Sequence, residues 1–197
     1  MIFDISQEIF SSEVYPGDPI PDKKEILSLK KKNPDKCKLT EFVLGSHAGT
    51  HLDAPCHFLA DGKDIEQVEL DKCMGRCLVT ALDEICGENV EQWKKQGICR
   101  VLLKNGKKLN VMEAECLAEA GCVCVGVECS TVGIDAQNEE VHKMLLSNEI
   151  VIIEGLRMEH VPEGEYFLSA LPLKMKDLDG SPIRAILWKD EVGGERI

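Results

Sequence analysis

Three histidines and one aspartate lie within eleven consecutive residues, from His47 to His57. The segment reads His-Ala-Gly-Thr-His-Leu-Asp-Ala-Pro-Cys-His, and the whole chain has only five histidines. Imidazole nitrogens and carboxylate oxygens together suit divalent transition metals, chiefly zinc, manganese or iron. This density of ligand types predicts a metal site and therefore a metalloenzyme.

The backbone of this segment must bend if its side chains are to meet. A helix is disfavoured because Gly49 is a poor helix former and Pro55 breaks helical hydrogen bonding. On a straight strand, His47 and His51 would lie roughly 13 Å apart, at the limit for sharing one ion. His57 would lie about 33 Å from His47 on the same geometry. We therefore expect a bend, which Gly49 permits by its relaxed φ and Pro55 by ending a strand ladder.

A bent strand end would bring His47, His51 and Asp53 together and leave His57 a short distance away. Three protein ligands with a position open to water are typical of catalytic metal sites. Cys56 is an alternative ligand, since thiolates bind zinc, but its side chain has the opposite parity along a strand. The spacing therefore favours an open three-ligand site.

Apolar runs bounded by turn residues predict the strands that must position this site. They cover 2–5, 39–44, 77–82, 99–103, 122–127, 150–153, 166–170 and 183–188. Helices are predicted over 88–96, 111–120 and 138–147, and Gly121 is placed to end the second of these.

Strands and helices alternate in the second half of the chain, which indicates an α/β fold. The strands 99–103 and 122–127 with the helix between them predict a right-handed βαβ unit, and the next helix and strand 150–153 predict a second. The lysine-rich segment 22–38 is expected to be an exposed loop region. No domain boundary is evident, so residues 1–197 are predicted to form one domain.

The charge and composition indicate a cytoplasmic protein that acts on a small molecule. A net charge of −12 disfavours nucleic acid and anionic membranes as partners, since both require basic patches. The sequence has no apolar run of the roughly 20 residues that a membrane span needs, and residues 1–5 are expected to form a strand rather than part of a signal peptide. The ten cysteines contain no Cys-x-x-Cys pair and are expected to be free, buried thiols in a reducing compartment.

The histidine-rich segment resembles the His-x-Gly-Thr-His-x-Asp-x-Pro-x-His signature of the cyclase family, which includes bacterial arylformamidases (kynurenine formamidases) and isatin hydrolases. The resemblance extends over nearly the whole chain. It includes the Tyr-Pro-Gly-Asp-Pro turn at 15–19, the histidine and glutamate of the segment 142–154, Leu-Pro-Leu-Lys at 171–174, and Ser-Pro-Ile-Arg-Ala at 181–185.

The resemblance implies a compact α/β fold of the swivelling β/β/α type with a mixed sheet. It also implies a site for divalent metal, with zinc favoured over manganese or iron, often with two ions bridged by Asp53 or Glu154. The implied role of His57 is catalytic, and the implied assembly is a homodimer or a higher homo-oligomer. The implied metal ligands are His47, His51, Asp53, His142 and Glu154.

The activity implied by the resemblance is hydrolysis of an amide C–N bond, as in arylformamidases acting on N-formylkynurenine-type substrates. Metal-activated water would attack the carbonyl, and His57 would act as general base and then as acid. The sequence departs from the formamidase pattern at Lys104-Asn105, at Glu128-Cys129 and at Gly155, so the walls of the pocket differ. The alternatives are a hydrolase or cyclase acting on a cyclic amide or lactone, and a metal-binding protein without turnover.

Two aromatic residues near these motifs, Tyr15 and Phe58, are candidates for contact with an aromatic substrate. Packing in the core is the competing interpretation for both side chains.

Overall fold

The fold is built around a mixed sheet of nine strands. The structure is a computed structural model that describes residues 1–85 and 87–189. The strands are β1 (Ile2–Asp4), β2 (Asp22–Leu27), β3 (Leu39–Val43), β4 (His51–Asp53), β5 (Met74–Thr80), β6 (Arg100–Leu103), β7 (Cys124–Val127), β8 (Val151–Glu154), β9 (Gly164–Ser169), β10 (Gly180–Pro182) and β11 (Ile186–Trp188). The order in the large sheet is β1-β11-β9-β5-β6-β7-β8-β4-β10, and β2 pairs with β3 apart from it.

The helices are α1 (Leu70–Cys73), α2 (Glu88–Lys95), α3 (Val111–Glu119) and α4 (Asn138–Ser147). The three predicted helices are confirmed to within one residue at each end. Helix α3 begins with a capping box, in which the Asn110 side chain accepts from the Glu113 N–H and the Glu113 carboxylate accepts from the Asn110 N–H. It ends just before Gly121, whose φ of 79° suits the helix terminus.

The centre of the sheet is parallel. Strands β5, β6, β7 and β8 are neighbours with the same direction. Helix α3 connects β6 to β7 and α4 connects β7 to β8, so the two predicted strand–helix–strand units are present. The strands on either side of this block pair antiparallel, which makes the sheet mixed.

The core lies on both faces of the sheet. Along β6, Val101 and Leu103 pack in one hydrophobic cluster with α3 and α4, whereas Leu102 packs in the other. Successive strand side chains point to opposite faces, so this alternation means that both faces are covered. Central strands buried in this way read as continuous apolar runs, which is why the sequence predicted them.

The lysine-rich segment contains a strand, so the prediction of a loop over 22–38 is wrong for its first part. Strand β2 pairs antiparallel with β3, with Asp22 opposite Val43 and Leu27 opposite Leu39. Both strands are exposed on both faces, so the apolar alternation that marks a half-buried strand is missing. Residues 28–38 form the loop between them.

The nine cysteines of the described residues are free, as predicted, but only Cys73, Cys77, Cys122 and Cys124 are buried. Cys37 is exposed and the other four are partly buried, so the prediction of burial is wrong for these five. Burial raises the pKa of the Cys122 thiol to about 12, which makes it a weak nucleophile and poor ligand. Among the helices of residues 1–85 and 87–189, none is long and apolar enough to cross a membrane.

Candidate metal centre

The histidine-rich segment bends at the two predicted residues. His47 lies in a turn after β3, and Gly49 follows with a φ of +67° before β4 begins. After β4, Pro55 opens a single 3₁₀ turn that ends at His57. Only a glycine adopts the left-handed conformation at 49 without strain, and this bend turns His47 back toward β4.

The strand pairing brings the remote glutamate to the segment. Strand β4 lies between β8 and β10, and its register places His51 directly opposite Glu154 of β8. Asp53 points to the same face of β4 as His51, because the two are two residues apart. Helix α4, which precedes β8, carries His142 to the same place.

The five residues with predicted ligand roles form one cluster. The Nε2 atom of His51 lies 3.5 Å from Asp53 Oδ1 and 3.4 Å from Glu154 Oε2. The Nε2 atom of His142 lies 3.3 Å from Glu154 Oε1, and His47 Nδ1 lies 3.0 Å from Asp53 Oδ1. His51, Asp53, His142 and Glu154 are all at most 4% exposed.

Each of these imidazoles is oriented through its other nitrogen. The Nδ1–H of His51 donates to the Gly49 carbonyl at 2.9 Å, and that of His142 to the Asn138 carbonyl at 2.7 Å. The Nε2–H of His47 donates to Asp179 at 3.0 Å. Metal-binding histidines characteristically use one nitrogen in this way, which leaves the other for the ion.

The arrangement fits a divalent cation. Asp53 Oδ2 is buried, has no hydrogen-bond partner among the described residues, and lies 3.6 Å from His142 Nε2. A buried carboxylate oxygen without a donor is costly unless a cation completes its surroundings. Asp53 belongs to two groups of potential ligands. The first group is Asp53 with His47 and His57, and the second is Asp53 with His51 and Glu154. Within each group the ligand atoms lie within 4.8 Å of one another. The donor set of nitrogen and oxygen suits zinc, manganese or iron.

The pKa shifts of the clustered side chains also indicate a site that favours positive charge. Burial alone would lower the pKa of His47 and of His142, but the Asp53 carboxylate, helped by Asp179 at His47 and by Glu154 at His142, raises them to about 9 and about 10. Burial alone would raise the pKa of Asp53, but the neighbouring imidazoles of His142 and His47 lower it well below its usual range. In the metal-free protein these protons supply the positive charge that the buried carboxylates require.

His57 lies beside this cluster with a different environment. Its side chain is 28% exposed, and its Nδ1 lies 3.2 Å from Asp179 Oδ2. Burial lowers the pKa of His57, and the nearby carboxylates only partly offset this. Its ring stands 4.1 Å from the His47 ring, at the edge of the ligand cluster.

The cluster opens onto a cavity of about 470 Å³, and both predicted substrate contacts line it. The Phe58 ring stacks on His142 at 4.3 Å and meets His57 edge-on at 4.6 Å, so it forms a wall of the site. The Tyr15 side chain is 46% exposed and also borders the cavity. Lys108 and Arg157 also line the cavity.

One residue of the site was missed by sequence reasoning. Asp179 contacts both His47 and His57 although it lies more than 120 residues away in the chain. The available signal was a carboxylate directly before Gly180, next to the motif that begins at Ser181.

Gly180 offers a test of how tightly the cluster is packed. A Cβ at this position would lie 2.7 Å from His47 Cε1 and 3.1 Å from the Leu52 carbonyl oxygen. Gly180→Ala must therefore displace the His47 ring, and we expect metal affinity to fall by about tenfold or more. Competition with a chromogenic chelator measures it. The control is Gly45→Ala, in which the new Cβ would lie 3.5 Å from Pro19, an ordinary van der Waals contact. Metal affinity should be unchanged in this control. If it were unchanged in Gly180→Ala as well, a ligand role for His47 would be contradicted.

Sequence comparison identifies relatives over most of the chain. The Cyclase family model matches residues 3–136. The kynurenine formamidase of Bacillus cereus (strain ATCC 10987 / NRS 248) is 32% identical over 201 residues, which cover 93% of this chain and 95% of that protein. The kynurenine formamidase of Bacillus mycoides (strain KBAB4) is 31% identical with the same coverage.

Solved structures share the fold. A potential metal-dependent hydrolase with cyclase activity matches with a TM-score of 0.76 at 27% identity, covering 95% of this chain and 96% of that one. Isatin hydrolase A from Labrenzia aggregata matches with a TM-score of 0.78 at 19% identity, covering 95% and 93%. At 19% identity, the match to isatin hydrolase A concerns the fold alone. The two structural matches together confirm the predicted α/β fold of the swivelling β/β/α type.

Proposed function

The chain belongs to the cyclase family, and from that premise we propose that it is a metal-dependent hydrolase of an amide C–N bond, arylformamidase-like in its substrate. The observation that carries the proposal is His57, half-buried at the rim of a histidine–carboxylate cluster that opens onto a cavity. A purely structural metal site has no use for such a histidine or for an opening.

The proposed substrate is an N-formyl aromatic amine of the N-formylkynurenine type. Two kynurenine formamidases at 31–32% identity support it, since each aligns over 93% of this chain. The cavity has room for a single aromatic ring with a side chain, and Phe58 and Tyr15 offer it apolar contact.

The ligands that would hold the metal are His47, His51, Asp53, His142 and Glu154, with zinc favoured and manganese or iron as alternatives. The Asp53 carboxylate lies within 3.6 Å of imidazole nitrogens of His47, His51 and His142, a position between ligands that supports a binuclear site. A divalent ion, when bound, lowers the pKa of water and polarises a carbonyl.

The protein side chains then supply orientation and proton transfer. His57 donates its Nδ1–H to Asp179, which leaves Nε2 free to take a proton from the attacking water and to pass it to the leaving amine. Its pKa, which burial lowers, keeps the imidazole neutral at neutral pH and so able to act as a base. Phe58, packed edge-on against His57, limits the directions that the ring can take.

A substrate panel with measured metal content tests the proposal. N-formylkynurenine, formanilide, isatin and an aromatic lactone are offered to protein of known zinc or manganese stoichiometry. We expect the two formamides to be hydrolysed fastest. Faster hydrolysis of isatin or the lactone would favour the cyclic-substrate alternative, and metal-loaded protein without any turnover would favour a metal-binding role.

We also propose that the protein is a homodimer or higher homo-oligomer, assembled through the β2–β3 sheet. Its large apolar side chains are exposed, including Leu39 at 51%, Phe42 at 60% and Val43 at 63%. Leu39 and Val43 share one face of β3 and Phe42 lies on the other, so both faces of this small sheet carry exposed apolar side chains that an interface could cover. We further propose that the protein acts in the cytoplasm, without nucleic-acid or membrane partners. We also propose that residues 1–197 form one domain.

Introducing charge on this sheet tests the assembly. We expect Phe42→Asp to shift the protein from dimer to monomer in size-exclusion chromatography with light scattering, because an apolar interface does not accommodate an unpaired carboxylate. Lys36→Asp, in the exposed loop between the strands, is the control and should leave the mass unchanged. A monomeric unmodified protein would contradict the proposal.

A further inference from the structure

We infer that Asp179 is a positioning residue that orients His47 and His57 together, so that one carboxylate sets both the metal ligand and the proton-transfer group. The inference rests on the proposed function for the role of His57, but not for the contact with His47. Asp179 belongs to none of the motifs on which the ligand set was predicted.

One carboxylate accepts three hydrogen bonds at this point. Oδ2 of Asp179 lies 3.0 Å from His47 Nε2 and 3.2 Å from His57 Nδ1. Oδ1 accepts from the Ser46 hydroxyl at 2.8 Å. A carboxylate can accept at several lone-pair positions, so the three donors do not compete.

The backbone around Asp179 is tied to the segment it orients. Its carbonyl accepts from the Ala54 N–H at 2.9 Å, and the Leu178 carbonyl accepts from the Ile65 N–H at 2.9 Å. The next residue, Gly180, is paired with Asp53 in the β4–β10 ladder. The carboxylate is therefore fixed relative to β4, and it does not rely on a flexible loop for its position.

The chemical consequence concerns which nitrogen carries the hydrogen. A carboxylate only accepts, so it holds hydrogen on Nε2 of His47 and on Nδ1 of His57. His47 Nδ1, which lies 3.0 Å from Asp53, is then the nitrogen that gives up its hydrogen when a metal binds, and His57 Nε2 is left without a bond to Asp179. Asp179 thus selects the imidazole tautomers that a ligand and a general base require.

Asp179→Asn keeps the size of the side chain and replaces one acceptor by a donor, so it can hold either ring in the wrong tautomer. We expect kcat to fall by about 10–100-fold with KM within about twofold, and metal affinity to fall by about tenfold. In a His57→Ala background, Asp179→Asn should lower kcat no further while metal affinity still falls. The control is Asp177→Asn, an exposed aspartate two residues away, which should change none of these values.

Measuring metal affinity by chelator competition needs no substrate. It therefore tests the contact between Asp179 and His47 even if the protein hydrolyses none of the compounds in the panel. Imidazole ¹⁵N NMR of the unmodified zinc-loaded protein reports both tautomers without any variant. Hydrogen on His47 Nε2 and His57 Nδ1 is the expected result. Hydrogen on the other nitrogens, an unchanged metal affinity in Asp179→Asn, or a kcat loss that is fully additive with His57→Ala would each overturn the inference.

Discussion

His57→Ala is expected to keep its full metal content and to lose turnover by about 10²–10⁴-fold, the usual contribution of a positioned acid–base group. The physical reason is the position of the His57 ring, which is hydrogen-bonded to Asp179 and borders the cavity. The buried Glu154 carboxylate lies instead beside the imidazoles of His51 and His142. Steady-state kinetics on the best substrate of the panel, with metal measured by atomic emission on the same sample, checks both parts.

His160→Ala is the matched control, since His160 is exposed and its ring centroid lies 6.1 Å from that of Phe3, outside the metal-ligand cluster. It should leave turnover and metal content unchanged. If His57→Ala loses its metal instead, His57 is a ligand in the group with His47 and Asp53, and the assignment of proton transfer to it is wrong.

Asp53→Asn is expected to abolish metal binding and activity together. Asp53 is 1% exposed, its Oδ1 lies within 3.5 Å of nitrogens of His47 and His51, and both ligand groups depend on it. A bound metal contributes several kcal/mol to catalysis, so its loss should lower turnover by about 10³-fold or more. Metal content should fall below about a tenth of an equivalent, since the remaining ligands would lack the shared carboxylate.

The asparagine has nearly the size of the aspartate, so folding should survive and circular dichroism should be unchanged. Asp61→Asn, an exposed aspartate in the same region of the chain, is the control and should bind metal normally. Full metal occupancy in Asp53→Asn would rule out the arrangement of ligands described for this site.

The local part of the site was predictable because its constraints lie within eleven residues. Gly49 and Pro55 were the positions at which the backbone could bend, and the structure bends at both. The buried strands β6, β7 and β8 were predictable for a similar reason, since strands covered on both faces are apolar throughout.

The remaining parts depend on pairing between distant segments, which periodicity does not reveal. Strands β4 and β10 have three residues each, too few to show an alternation, and their mutual register is what places Asp179 beside His47. Strand β2 is rich in lysine and is held by pairing with β3 rather than by burial. His142 and Glu154 were assigned by family resemblance, because a helical histidine and a glutamate at a strand end are not distinctive by themselves.

The pairing of His51 with Glu154 joins parts of the chain that are about a hundred residues apart. A metal held between them is therefore a removable cross-link, and clips that close long loops restrict the unfolded chain most. At a free metal concentration about a hundred times its dissociation constant, such an ion adds about 2.7 kcal/mol to folding stability. The amount of folded protein in a cell would then follow the supply of metal as well as the rate of synthesis, because unfolded chains are continuously removed.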